Sequence, residues 1–180
     1  MKQSSVLTLL LCVLTLLGAS GAASAHASGS AESFEEALAP LYEDADNIVS
    51  QERVLELIQD GAIGSQVYLL DIRSEPEWEV SHLQGARFVG YRGFSLDDIE
   101  DIPRDARIIL YCAVGWRSGR VGRIMRRAGY TDVSNMYGGI LYWADQGRPM
   151  VDDDGPTHRV HGRQPRWGRW VENPDVEVVY

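Results

Sequence analysis

Lysine is almost missing from this chain: Lys2 is the one lysine in 180 residues, and the other sixteen basic residues are arginines. With no lysine beyond the extreme N-terminus, Schiff-base catalysis has no residue to run on. Cysteine is as scarce, with only Cys12 and Cys112. Basic charge is in deficit, 17 against 26 acidic residues for a net of −9, which argues against nucleic acid as a partner. A long apolar run is also lacking: residues 6–17 fall short of the ~20 needed to span a membrane as a helix.

The apolar stretch has a different reading. Lys2 gives a positive start, residues 6–17 an apolar centre and Ala23-Ser24-Ala25 a small-residue cleavage pattern, together a secretory signal peptide over residues 1–25 with cleavage after Ala25. A lipoprotein anchor on Cys12 is disfavoured, because Leu11 precedes it where a small residue is wanted. The expected location is periplasmic or secreted, with no membrane attachment after cleavage. The mature chain then carries sixteen arginines against 26 acidic residues, a net of −10, and Cys112 as its only cysteine. No intramolecular disulfide is possible, so a lone exported thiol calls for a reason.

Cys112 follows the apolar run Ile108-Ile109-Leu110-Tyr111 and precedes Ala113-Val114-Gly115-Trp116-Arg117-Ser118. A thiol between a strand end and a helix start faces unpaired backbone N–H groups and the positive end of the helix dipole, which favours the thiolate. Four residues separate Cys112 from Arg117, a tight loop whose N–H groups can converge on one anionic atom. The bland alternative is an inert buried cysteine.

Around this loop the pattern alternates strands and helices. Residues 26–47 form an N-terminal extension, disordered at first and helical from a Ser33/Glu36 capping box. Ile48 and Val49 read as a short strand, and Ser50 caps a helix carrying Val54, Leu57 and Ile58 up to Gly61. Residues 67–72 are a continuous apolar strand, and Ser74, Pro76 and Glu77 start a short helix. Residues 86–89 are a strand, Ser95 and Asp98 a helix start before Pro103, and residues 107–111 the strand that delivers Cys112. Val121, Ile124, Met125 and Ala128 repeat at helical spacing before Gly129. Residues 132–136 are a last strand, followed by Gly138-Gly139 and a helix with Leu141 and Trp143. The expected fold is a three-layer α/β domain over residues 48–147, with a central, mostly parallel, five-stranded sheet and helices on both faces.

Residues 148–180 change character and are expected to pack back on the domain. Asp152-Asp153-Asp154-Gly155-Pro156 reads as a turn, and Trp167, Trp170 and Val171 have the spacing of a short amphipathic piece, with a protein-partner site as the competing reading. His158 and His161 lack a third ligand at metal-binding spacing, so no metal and no cofactor are expected.

Three blocks then resemble the rhodanese family of sulfurtransferases: Leu70-Asp71-Ile72-Arg73 with Glu77, Trp78 and His82-Leu83-Gln84-Gly85-Ala86; Tyr111 to Ser118; and Tyr137-Gly138-Gly139-Ile140-Leu141-Tyr142-Trp143. The resemblance implies that Cys112 is the catalytic nucleophile in a loop running to Arg117. It also implies the shorter loop of a sulfurtransferase rather than the longer one of related phosphatases. The thiolate would take the outer sulfur of a thiosulfate-like donor as a persulfide and pass it to a thiol or cyanide. Backbone groups of Ala113, Val114, Gly115, Trp116 and Ser118 would stabilise the sulfur anion, and Arg117 would orient an anionic donor or brace the loop. Trp116 would form a wall of the mouth. Asp71, Arg73, Glu77 and His82 read as structural support, paired as Asp71 with His82 or Arg73 with Glu77. A non-catalytic partner-binding module is the main alternative, and a phosphatase or arsenate reductase is disfavoured by loop length.

Overall fold

The computed structural model describes residues 33–42 and 47–180. The expected signal peptide, Cys12, the expected disordered stretch 26–32 and residues 43–46 lie outside the described residues. Ser33 begins the described chain with its capping box in place: its Oγ accepts from Glu36 N–H at 3.1 Å, and Glu36 accepts in return from Ser33 N–H at 2.7 Å. Helix α1 (Phe34–Leu38) follows and runs into a 3-10 turn at Ala39–Leu41.

Five strands make the central sheet: β1 (Ile48–Val49), β2 (Val67–Asp71), β3 (Arg87–Phe88), β4 (Arg107–Tyr111) and β5 (Asp132–Met136). They lie in the order β1-β5-β4-β2-β3, every pair parallel. Parallel neighbours require crossovers, which helices α2 (Gln51–Gln59), α3 (Glu75–Val80) and α4 (Trp116–Arg127) supply, with α5 (Gly139–Asp145) after β5. The fold is the α/β sandwich expected from the alternation.

Strand alternation decides which residue meets which layer. On β4, Ile109 and Tyr111 belong to a core shared with α1, α2 and α5, while Ile108, Leu110 and, one residue past the strand, Cys112 belong to a core shared with α4. β2 splits the same way, with Val67 and Leu69 on the first face and Leu70 on the second. Cys112 therefore leaves the sheet on the side where α4 begins.

Several local expectations are corrected. The helix expected from Ser95 is a single 3-10 turn, Leu96–Ile99, with its capping box intact; Pro103 follows too soon for more. Strand β3 has only two residues, both exposed, because it is the sheet edge. On α4, Val121 and Met125 are buried but Ile124 is 47% exposed, since the core-facing stripe runs instead through Ser118 and Gly122.

Residues 148–180 add more regular structure than turn signals suggested. A hairpin joins β6 (Met150–Asp152) to β7 (Gly155–Thr157), and β8 (Arg159–His161) pairs in parallel with β9 (Glu177–Val179) after the short helix α6 (Pro165–Gly168). Met150 and Val160 are fully buried in the first core, and Trp167, Trp170 and Val171 pack partly buried against it. His82 and Val151 exchange backbone hydrogen bonds of 2.7 and 2.9 Å, which fastens this segment beside α3.

Candidate active site

The loop from Cys112 to Gly115 is held by its carbonyls. Cys112 C=O accepts from Ile140 N–H at 2.9 Å and Ala113 C=O from Leu141 N–H at 3.0 Å, so the first turn of α5 finds its missing acceptors in the loop. Val114 C=O accepts from the Tyr42 hydroxyl at 3.1 Å. Gly115 C=O accepts from Asn135 Nδ2 at 3.0 Å, Ser118 Oγ at 3.1 Å and Gly119 N–H at 3.0 Å. All four carbonyls thus point their negative ends at other partners, away from the thiol. Gly115 N–H turns the other way and donates to Cys112 Sγ at 3.2 Å, at the N-terminus of the twelve-residue α4.

Two glycines are required by this closeness. Gly115 has φ +92°, and a Cβ there would sit 1.7 Å from the Tyr42 hydroxyl. Gly139 has φ +59°, and a Cβ would sit 2.4 Å from Cys112 O. Tyr42 is the residue that sequence reading missed. Its hydroxyl also lies 3.2 Å from Met136 O and accepts from Gly138 N–H at 2.8 Å, joining the loop to β5 and α5. Burial pushes its pKa far above the ordinary value, so it stays a neutral donor. A lone tyrosine in an extension carries no periodic or motif signal. The short Ala39–Leu41 turn before it is the only local hint.

Arg117, in the first turn of α4, is buried. Its two terminal nitrogens make a bidentate pair with Glu77, at 2.7 and 2.6 Å. Burial opposes its charge, but Glu77 and Cys112 outweigh that and raise its pKa. Arg117 Nε has no protein partner among the described residues. Glu77 also accepts from Ser74 N–H at 3.0 Å and Ser74 Oγ at 2.7 Å. Burial works to raise the Glu77 pKa, yet these donors, Arg117 first, hold it down at about 2.

The expected pairings of Asp71 with His82 and of Arg73 with Glu77 are corrected. Arg73 binds Asp71 instead, with Nη2–Oδ2 at 2.6 Å and both side chains fully buried. A flexible guanidinium two residues away reaches the carboxylate with no loop to close. Arg73 Nη2 also donates to Ser81 O at 2.6 Å, and its guanidinium carbon lies 5.8 Å from the centre of the Tyr111 ring. Burial opposes the Arg73 cation, but Asp71 overcomes it and the pKa rises. His82 stacks its ring on Trp78, 3.7 Å between centroids, and makes no ion pair with Asp71.

Among the loop residues, Ala113, Val114 and Ser118 are buried, and Gly115 N–H is the loop amide on Sγ among the described residues. Trp116 is 42% exposed, near Tyr91 and under the Arg120 guanidinium at 5.1 Å. It stands beside the mouth and is not part of the main cleft wall. That cleft, about 800 Å³, is lined by Arg73, Glu77, Tyr91, Arg117 and neighbours, and by Arg163 from the C-terminal segment. No cluster of three potential metal ligands occurs among the described residues.

The arrangement can hold one anionic sulfur at the loop and orient an anion in front of it. Comparisons with known proteins bear on which chemistry uses it. A family model described as the Rhodanese-like domain matches residues 50–146. A probable adenylyltransferase/sulfurtransferase, MoeZ, of Mycobacterium tuberculosis is 32% identical over 87 residues, covering 48% of this chain and 22% of that protein. A sulfurtransferase of Allochromatium vinosum is 37% identical over 57 residues, covering 32% of this chain and 53% of that one. The chain therefore spans about a fifth to a half of these relatives' length. The solution structure of a rhodanese-like domain from Anabaena superposes with a TM-score of 0.53 at 19% identity, covering 59% of this chain and 80% of that one.

Proposed function

The chain belongs to the rhodanese-like domain family, and from that premise we propose that it transfers sulfane sulfur through a persulfide on Cys112. The observation that carries this reading is the loop itself, with four carbonyls turned outward and Gly115 N–H turned onto Sγ. In the first half-reaction the Cys112 thiolate attacks the outer sulfur of thiosulfate. The S–S bond of the donor breaks, its electron pair leaves with sulfite, and Cys112 carries the new S–S bond. In the second, cyanide or a thiolate attacks that outer sulfur and the Cys112 thiolate departs. Negative charge stays on sulfur throughout, so no general acid is needed, and the α4 N-terminus and Gly115 N–H stabilise it in both halves.

Thiosulfate is our choice of donor class because Arg117 places a positive charge close to the thiol. An exported location belongs to the same proposal and rests on residues 1–25 of the sequence. Purified protein given thiosulfate and cyanide is expected to release thiocyanate, and the Cys112→Ser variant none. Wild-type protein that produces no thiocyanate and no persulfide with any sulfane donor would overturn the reading.

A further inference from the structure

The main cleft is not closed by residues 50–146 alone. Part of its lining comes from the end of β8 and the residues just after it, where His161, Arg163 and Gln164 join Arg117 and Glu77 around it. This segment is firmly placed: β8 packs against α3, and Gly162 N–H donates to Val179 O at 2.8 Å. Arg163 adopts φ +60°, a left-handed conformation that is uncommon outside glycine, and its N–H donates to His161 Nδ1 at 2.9 Å. Such strain persists only where the surroundings over-determine it.

The charges in the cleft are unusual for so acidic a chain. Four arginines line it against two glutamates, Glu75 and Glu77. Glu77 is taken by Arg117, and Arg73 is taken by Asp71 behind the wall. Arg163 and the exposed Arg92 have no carboxylate within ion-pair distance among the described residues. Arg163 is half-buried, and both burial and the neighbouring Arg117 cation lower its pKa, while Cys112 and Glu77 act in the opposite sense. A bound anion would relieve the burial cost and the repulsion together.

We propose that Arg163, supplied by the C-terminal segment, binds the charged end of the sulfur donor and selects small sulfur oxyanions of the thiosulfate class. The inference rests on the sulfur-transfer reading and assigns the donor site to both parts of the chain. Arg117 orients the donor near the thiol, and Arg163 holds its oxygens. Neutral sulfane donors gain nothing from it.

The test is calorimetric titration of thiosulfate into the Cys112→Ser protein, which binds but cannot accept sulfur, with and without Arg163→Asn. Asparagine tolerates the left-handed conformation, so the fold is kept. The expected result is about a tenfold or greater rise in the dissociation constant, the scale of one charge-assisted hydrogen bond. In the protein with Cys112 intact, Arg163→Asn should raise KM for thiosulfate while leaving kcat nearly unchanged, and Arg163→Lys should restore part of the loss. Arg159→Asn, at the start of β8 four residues before Arg163 but paired with Glu177 outside the cleft, serves as the control for lost surface charge and should stay within about twofold. Unchanged affinity in Arg163→Asn, or an equal loss in Arg159→Asn, overturns the inference even if persulfide forms normally. Arg163-dependent thiosulfate binding by a protein that never forms persulfide supports the anion site and overturns the transfer reading instead.

Discussion

Asp71–Arg73 and Glu77–Arg117 use the same two chemical groups at the same closest distance of 2.6 Å, and both are buried. Their surroundings differ. Asp71 and Arg73 are two residues apart and fully excluded from solvent, and Arg73 N–H and Ser81 O, from their own stretch of chain, complete the cluster while Arg73 Nη1 has no partner among the described residues. Glu77 and Arg117 are forty residues apart, join α3 to the first turn of α4, and both line the cleft. The first pair closes the end of β2 upon itself. The second pays its desolvation to hold one cation beside Cys112. The same two groups, met side-on through Nε and Nη2 in Arg73 and end-on through Nη1 and Nη2 in Arg117, can thus serve the fold in one place and the site in another, and what separates them is what each pair joins: a strand end to itself, or α3 to the helix that starts beside the thiol.

The largest expected effect tests the structural pair. Asp71→Ala strands the Arg73 cation in a region with no solvent access, and denaturant unfolding should show a loss of about 3–5 kcal/mol. Sulfur transfer per folded molecule should stay near wild type; a selective loss of activity would erase the distinction between the two pairs. Glu77→Gln should cost less, about 2–3 kcal/mol, because Arg117 keeps access to the cleft. It should cut kcat/KM for sulfur transfer by at least about tenfold, since Arg117 loses its fixed orientation.

Acid titration sharpens the same contrast. The folded-state pKa of Glu77 is depressed from 4.5 to about 2, so its contribution is fully present above its unfolded value and disappears as pH falls through about 2. The contribution is on the order of 3 kcal/mol. Wild-type stability should therefore fall more steeply than that of Glu77→Gln between about pH 4.5 and 2, and parallel curves would contradict the pairing. The smallest expected effect is at Tyr42→Phe, which leaves Val114 O and Gly138 N–H without the hydroxyl. A cost of about 1–2 kcal/mol is expected, with a modest fall in transfer rate, measured by thermal unfolding and steady-state kinetics.

What the sequence made legible follows from distance along the chain. The capping boxes at Ser33, Ser74 and Ser95, and the strand, loop and helix around Cys112, are local patterns of a few residues. The parallel sheet with helices on both faces followed from alternation and the crossover rule, whereas its strand order, set by long-range pairing, did not. The partner of Arg117 did not, because Arg73 and Arg117 are equivalent candidates for Glu77 until the fold places α3 against α4. Tyr42 was invisible for the same reason: its three backbone partners lie 72 to 96 residues away. The wall at Arg163 depends on β8 and β9, three residues each, too short to show a period.

The central claim is that Cys112 carries the sulfur. Mass spectrometry of the intact protein and of the Cys112 peptide after incubation with thiosulfate tests it most directly. The account predicts a gain of one sulfur atom on that peptide, lost again on adding cyanide and never formed in Cys112→Ser. An unmodified Cys112 after exposure to thiosulfate, or sulfur found elsewhere on the chain, would contradict it.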